Sequence, residues 1–250
     1  MKRVFALFCI FGVLLTALAA CGRTEPAPTV PATDVPTQAA AYGYEIQTAV
    51  EETRGNIGFK FTRPVFSGTS PLVEAANRVY NQMEAEYKTK MEDEPGDENG
   101  PIAPWNYTEL SGCTYDRGGV LSFTTDGDWF MGGVHNSWIT GHTFDFNLGR
   151  ALKIADFLEG DDAQITAALV DAFSRDAAGE DDLTDVEAQS GPDANFYLAG
   201  DGVHVFYMPY VVPATQNGVD VLIPWKSELI KQAYRAPEEA TAAITQHDID

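Results

Sequence analysis

Tyr44-Glu45-Ile46-Gln47-Thr48-Ala49-Val50-Glu51, then Arg54-Gly55-Asn56, then Ile57-Gly58-Phe59-Lys60-Phe61-Thr62-Arg63-Pro64-Val65-Phe66 is the stretch that decides the fold. On both sides of the glycine, apolar and polar residues alternate, the two-residue period of a strand with one face on a core. Arg54-Gly55-Asn56 supplies a hairpin turn, so the two strands fold back on one another. The period then changes. Ser70 stands as N-cap with Pro71 in the first helical position, and Leu72, Ala76, Val79, Tyr80, Met83 and Tyr87 follow at three- and four-residue spacing. This spacing predicts an amphipathic helix of about six turns whose apolar stripe packs on the sheet.

Further along, Trp105 to Tyr115 and Gly119 to Thr125 are rich in β-branched and aromatic residues and read as strands. Asp128 to Trp138 reads as loop-like, with a strand through Thr143-Phe144-Asp145-Phe146 and a turn at Asn147-Leu148-Gly149-Arg150. Asp161 or Asp162 caps a second helix with Ile165, Leu169, Ala172 and Phe173 on its inner face and Gly179 as its stop. Asp176 to Asp193 reads as an exposed acidic connection. Gly200-Asp201-Gly202 joins Phe196-Tyr197-Leu198 to Val203–Met208 as a hairpin, Gly218 to Ile223 forms a last strand, and Pro224-Trp225 opens a short helix to about Tyr234. The expected class is α+β: a largely antiparallel sheet with two main helices packed on it, in two closely associated halves, 43–118 and 119–235.

Before this domain, Lys2 and Arg3 precede an apolar run from Val4 to about Leu18, which ends in Leu18-Ala19-Ala20-Cys21. The run is too short to span a bilayer and suits a secretory signal. Small residues before a cysteine make residues 1–20 a lipoprotein signal peptide and Cys21 the lipidation site, through which the chain meets a bilayer at the extracytoplasmic face. Residues 21–42, rich in Pro, Thr and Ala, form a semi-extended tether. Residues 236–250 form a polar tail.

The chain has 37 acidic and 16 basic side chains, a net charge of −21, and loss of Lys2 and Arg3 with the signal takes it to about −23. That balance repels phosphate backbones and anionic lipid, so nucleic acid is not an expected partner, and partners should be neutral or cationic. Of the three cysteines, Cys9 leaves with the signal and Cys21 carries lipid, so Cys113 has no internal disulfide partner and reads as a small buried hydrophobe. The acidic loop Glu92–Gly100 lacks the ligand spacing of a calcium-binding loop.

Several later segments resemble a known pattern: Gly132-Gly133-Val134-His135, then Thr143 to Phe157, then Phe196-Tyr197-Leu198 with Gly202 to Tyr210, then Ile223-Pro224-Trp225 with Glu228-Leu229. The pattern resembles an extracytoplasmic domain of unknown function, paired with a preceding uncharacterised domain. That pair occurs in the ectodomain of the lysozyme-sensing anti-sigma factor and, in part, beside the catalytic domain of a peptidoglycan deacetylase. The resemblance covers 119–235 in sequence detail and 43–118 in the order of its elements. It implies a wall-side binding or sensing module. A signal that begins at Met1 leaves no cytoplasmic segment to hold a sigma factor, and no counterpart of the deacetylase domain fits the sequence, so neither sigma control nor deacetylation is expected.

The side-chain inventory agrees with a non-catalytic reading. His135, His142, His204 and His247 show no helical metal spacing, and neither a Gly-x-Ser-x-Gly elbow nor a phosphate loop is present. Catalytic, cofactor and metal residues are therefore expected to be none. His135, after two glycines, and the nearby Trp129 and Trp138 are the candidate partner contacts. The expected function is a lipid-anchored module for a cationic wall-directed protein such as lysozyme. The alternative is a peptidoglycan or glycan binder using exposed aromatics, and a cell-wall hydrolase ranks behind both.

Overall fold

Twelve-residue strands lie on either side of a two-residue turn in the computed structural model, which describes residues 42–93, 105–131, 133–176, 183–212 and 217–235. Strand β1 (Gly43–Arg54) pairs antiparallel with β2 (Ile57–Ser67), and Gly55, at φ +57°, makes the turn. Helix α1 (Pro71–Asp93) follows, with the Ser70 Oγ accepting from the Val73 amide at 3.3 Å. Its buried residues, Leu72, Val73, Ala76, Tyr80, Tyr87 and Met91, continue the expected stripe by one more turn.

The crossover helix returns the chain to β3 (Trp105–Arg117), which runs parallel to β2 over Ile57–Phe61. Beyond Thr62 the two strands part. There Asn77 of α1 takes the place of a strand neighbour: its amide accepts from the Phe66 N–H and donates to the Phe66 carbonyl, both at 2.9 Å. Strands β4 (Val120–Met131), β5 (Val134–Asp145) and β6 (Arg150–Ala151) complete a curled six-stranded sheet of order β1-β2-β3-β4-β5-β6, antiparallel except at β2–β3. The turn at residues 118–119 thus joins two adjacent, hydrogen-bonded strands of one sheet.

A 3-10 turn (Ile154–Asp156) leads to α2 (Asp162–Asp176), where Asp161 and Gln164 cap one another reciprocally at 2.9 Å. A short helix α3 (Thr184–Gln189) precedes β7 (Phe196–Leu198), β8 (Gly202–Tyr207) and β9 (Val219–Pro224), a separate three-stranded sheet. One face of this sheet, with Leu198, Val203, Val205, Tyr207, Val221 and Ile223, shares a core with Ile165, Leu169 and Phe173 of α2. Face assignment in the large sheet follows from its unshifted β4–β5 register. Leu121, Phe123 and Phe144 point to α1, whereas Ser122, Thr143 and Gly141 point to β7.

Three local expectations differ. The segment after Pro224 forms successive turns, because its backbone is captured elsewhere: Ile230 bridges to Leu158, the Glu159 amide donates to Leu229 and the Lys231 amide to Phe157. The connection 176–193 contains α3, whose Val186 is fully buried in the second core. Asp128–Met131 and Val134–Trp138 are strand rather than loop, since β4 and β5 pair from Val120↔Asp145 through Met131↔Val134. Gly133 has φ +123°, a conformation that suits glycine. The signal peptide, Cys21, most of the tether, Gly179, most of the acidic loop and the tail fall outside the described residues.

Candidate functional site

Where β3, β4 and β5 lie side by side near the Gly132-Gly133 turn, two cross-strand rows share the α1 face. Tyr107, Trp129 and Asn136 form one row, and Glu109, Gly127 and Trp138 the next. Trp138 takes its position from the missing side chain at Gly127. A Cβ built there would lie 1.9 Å from the Trp138 Cε2 and 2.3 and 2.4 Å from the bonded neighbours Nε1 and Cζ2. Those three distances fit a Cβ directly above Cε2, along the ring normal. The indole therefore lies flat on the strand, with its second face turned away from the sheet. Tyr107 supports it at a centroid distance of 5.8 Å, and both tryptophans are half-buried.

The polar groups around these rings have separate duties. Glu109 is only 6% exposed; it accepts from Lys90 Nζ at 3.3 Å and from the Tyr107 hydroxyl at 3.2 Å. Asn136 accepts from the Tyr210 hydroxyl at 2.8 Å. Tyr210 adopts φ +63°, the one non-glycine residue with positive φ among those described, and half of its surface is exposed. Along the outer edge of β5 the Gly218 amide donates to the Ser137 carbonyl and the Asn217 side chain accepts from the Ser137 amide.

His135 is exposed, and the register puts it on the opposite face, paired with Asp128. The structure therefore brings Trp129 and Trp138 together on one face and places His135 on the other. The alternation of a strand carries that signal: positions 135 and 138 differ by an odd number, but only once the segment is read as strand.

A second titratable cluster escaped the sequence reading. The His204 Nε2 lies 3.0 Å from Asp201 and its Nδ1 3.1 Å from Asp220, while the ring stacks on Tyr197 at 4.7 Å. The Tyr197 hydroxyl donates to Asp220 at 2.7 Å. Burial draws the His204 pKa down, but its bonds to Asp220 and Asp201 outweigh burial and leave it raised; the same bond to His204 lowers that of Asp201. Both ring nitrogens are engaged, so the group clamps the β7–β8 turn to β9. His142 lies on the α1 face against Tyr80, and burial lowers its pKa to about 4. Cys113 is half-buried, and burial pushes its thiol up. Among the described residues no group of three or more His, Cys, Asp or Glu is placed to hold a metal ion, and no helix is long and apolar enough to cross a membrane.

No protein-family model and no curated protein matches this sequence. Among solved structures, a DUF3298 family member from Bacteroides fragilis is 18% identical over 78% of this chain and 95% of its own, with a TM-score of 0.50. The likeness is one of fold. A DUF3298 protein from Pseudomonas aeruginosa PAO1 is 13% identical over 80% of this chain and 98% of its own, with a TM-score of 0.47. A DUF3298-like fold agrees with the expected domain of unknown function. The finer resemblance, to the anti-sigma ectodomain and the deacetylase, is not carried by these neighbours.

Proposed function

We propose that this chain is a lipid-anchored, extracytoplasmic binding or sensing module without catalytic activity, whose partner is a cationic wall-directed protein such as lysozyme. The supporting observation is the state of its charges. Nine described Lys and Arg side chains are already held in ion pairs. Asp116, Asp126, Asp162, Asp185 and Glu187 have no cation within ion-pair distance among the described residues. The surplus negative charge is thus left facing solvent, where it steers a basic protein toward the surface.

Titration calorimetry of the unit Thr37–Asp250 with lysozyme, at low salt and at about 0.15 M, tests the partner. Saturable binding at both salts is expected. Silence at both rejects lysozyme, and binding confined to the lowest salt reduces the effect to attraction between a polyanion and a polycation. The anchor is tested separately. Labelling of the expressed chain with a radioactive fatty acid should be abolished by Cys21→Ser, and equal labelling of the variant would overturn lipidation at Cys21.

A further inference from the structure

We propose that the Trp138–Gly127 platform is a binding site for a neutral, N-acetylated glycan, with Trp129 and Asn136 as its other contacts. The site uses none of the charged residues invoked above, and its test can succeed or fail independently of lysozyme binding. Three observations lead to it. First, the Trp138 ring lies parallel to the sheet because residue 127 has no side chain, so one indole face rests on the strand, the other is turned away from it, and the residue is partly exposed. An indole packed only to fill a core has both faces covered; a half-buried ring laid flat presents the surface on which the C–H face of a pyranose stacks.

Second, the polar atoms next to the rings are hydrogen-bond donors. The Trp129 and Trp138 Nε1 groups have no acceptor among the described residues. Tyr210 donates to the Asn136 Oδ1, which leaves the Asn136 Nδ2 as the free end of the amide. The carboxylate in the same cross-strand row, Glu109, is buried and its Oε1 already accepts from Lys90 and the Tyr107 hydroxyl. A ligand here must therefore bring acceptors, and an acetamido carbonyl beside a pyranose ring does so. Third, the chain's net charge of −21 works against a phosphorylated or otherwise anionic polymer. An apolar ring face, donors and a negative surround together favour an uncharged N-acetylhexosamine chain.

The supports of the site are those of a preformed surface. Asn136 lies directly across from Trp129 in the β4–β5 ladder, and Tyr210, which fixes its amide, holds a backbone conformation that β-carbon-bearing residues rarely adopt.

The test titrates the full chain, lacking only its signal and with Cys21→Ser, with chitotetraose, following tryptophan emission and heteronuclear NMR shifts. Saturable binding is expected, with shifts concentrated at Trp129, Asn136 and Trp138. Cellotetraose, which has hydroxyls where chitotetraose has acetamido groups, should bind about threefold to tenfold more weakly. Trp138→Ala should weaken chitotetraose about tenfold or more. If Trp138→Ala does not fold, Asn136→Ala decides, with an expected loss of about threefold. No saturation by about 10 mM chitotetraose, equal affinity for the two sugars, or full affinity in the folded variants would overturn the proposal.

Discussion

Gly141→Ala is expected to destabilise the protein by about 4 kcal/mol, enough to lower its unfolding midpoint by roughly 10 °C. The reason is the joint between the two sheets. A Cβ on Gly141 would sit 1.8 Å from the Phe196 carbonyl oxygen, 2.5 Å from its carbon and 3.1 Å from the Tyr197 nitrogen, all backbone atoms of β7. Backbone held on several sides does not yield as a flexible side chain does. Next to the contact, Asn195 accepts from the Gly141 amide at 2.9 Å and donates to the Ile139 carbonyl at 2.6 Å, and the Leu198 amide donates to Ser122 Oγ at 2.9 Å. The methyl group must either break these bonds or push β7 from the large sheet and open the core that Phe196 and Leu198 complete. Urea unfolding followed by far-UV circular dichroism checks the value. A loss below about 1 kcal/mol would mean that the joint is compliant and that the close packing at Gly141 is not a stability determinant.

The same joint marks the limit of what the sequence discloses. The β1–β2 hairpin, α1 with its Ser70 cap, α2 with its Asp161 cap and the Gly200-Asp201-Gly202 turn were legible because their determinants are local: a period, a cap or a turn residue within a few positions. Gly141 and Phe196 lie 55 positions apart, and nothing in the neighbourhood of either announces the contact. The division into two sheets was invisible for that reason, as was the antiparallel capture of residues 229–231 by 157–159, which overrides the helix expected after Pro224. The site was half legible. Trp129 and Trp138 stand out in the sequence as aromatics close to two glycines, but reading Asp128–Trp138 as loop obscured the alternation that separates them from His135. Gly127 is the least readable member, because its significance is the ring that covers it. The His204 clamp needed Asp220, which reaches it only through the β8–β9 register.

Acid should destabilise the folded protein through His142 by up to about 3 kcal/mol as the pH falls from about 6.5 toward 4. The ring points from β5 into the α1 interface, 5.3 Å from the Tyr80 ring, with Nε2 3.3 Å from the Met83 Sδ. Neither neighbour supplies a negative charge to an imidazolium, so burial alone holds the pKa at about 4, below its ordinary 6.5. Above pH 6.5 the ring is neutral in both the folded and unfolded states and has no effect on the balance. Between 6.5 and 4 the unfolded chain takes up a proton that the folded one refuses, and stability drops throughout that window. His204 has the opposite sign. Its raised pKa gives a contribution fully present below the unfolded value and lost as the pH rises through the folded one. Carboxylates also titrate in acid, so the discriminating measurement is a difference between proteins. Unfolding free energies of the parent and His142→Gln at pH 7.5 and 4.5 should show the parent losing about 2–3 kcal/mol more than the variant. Parallel losses in the two proteins would exclude His142 as the source and leave the acid response to the carboxylates. A parent that gains stability on acidification would contradict burial as the influence that sets the His142 pKa.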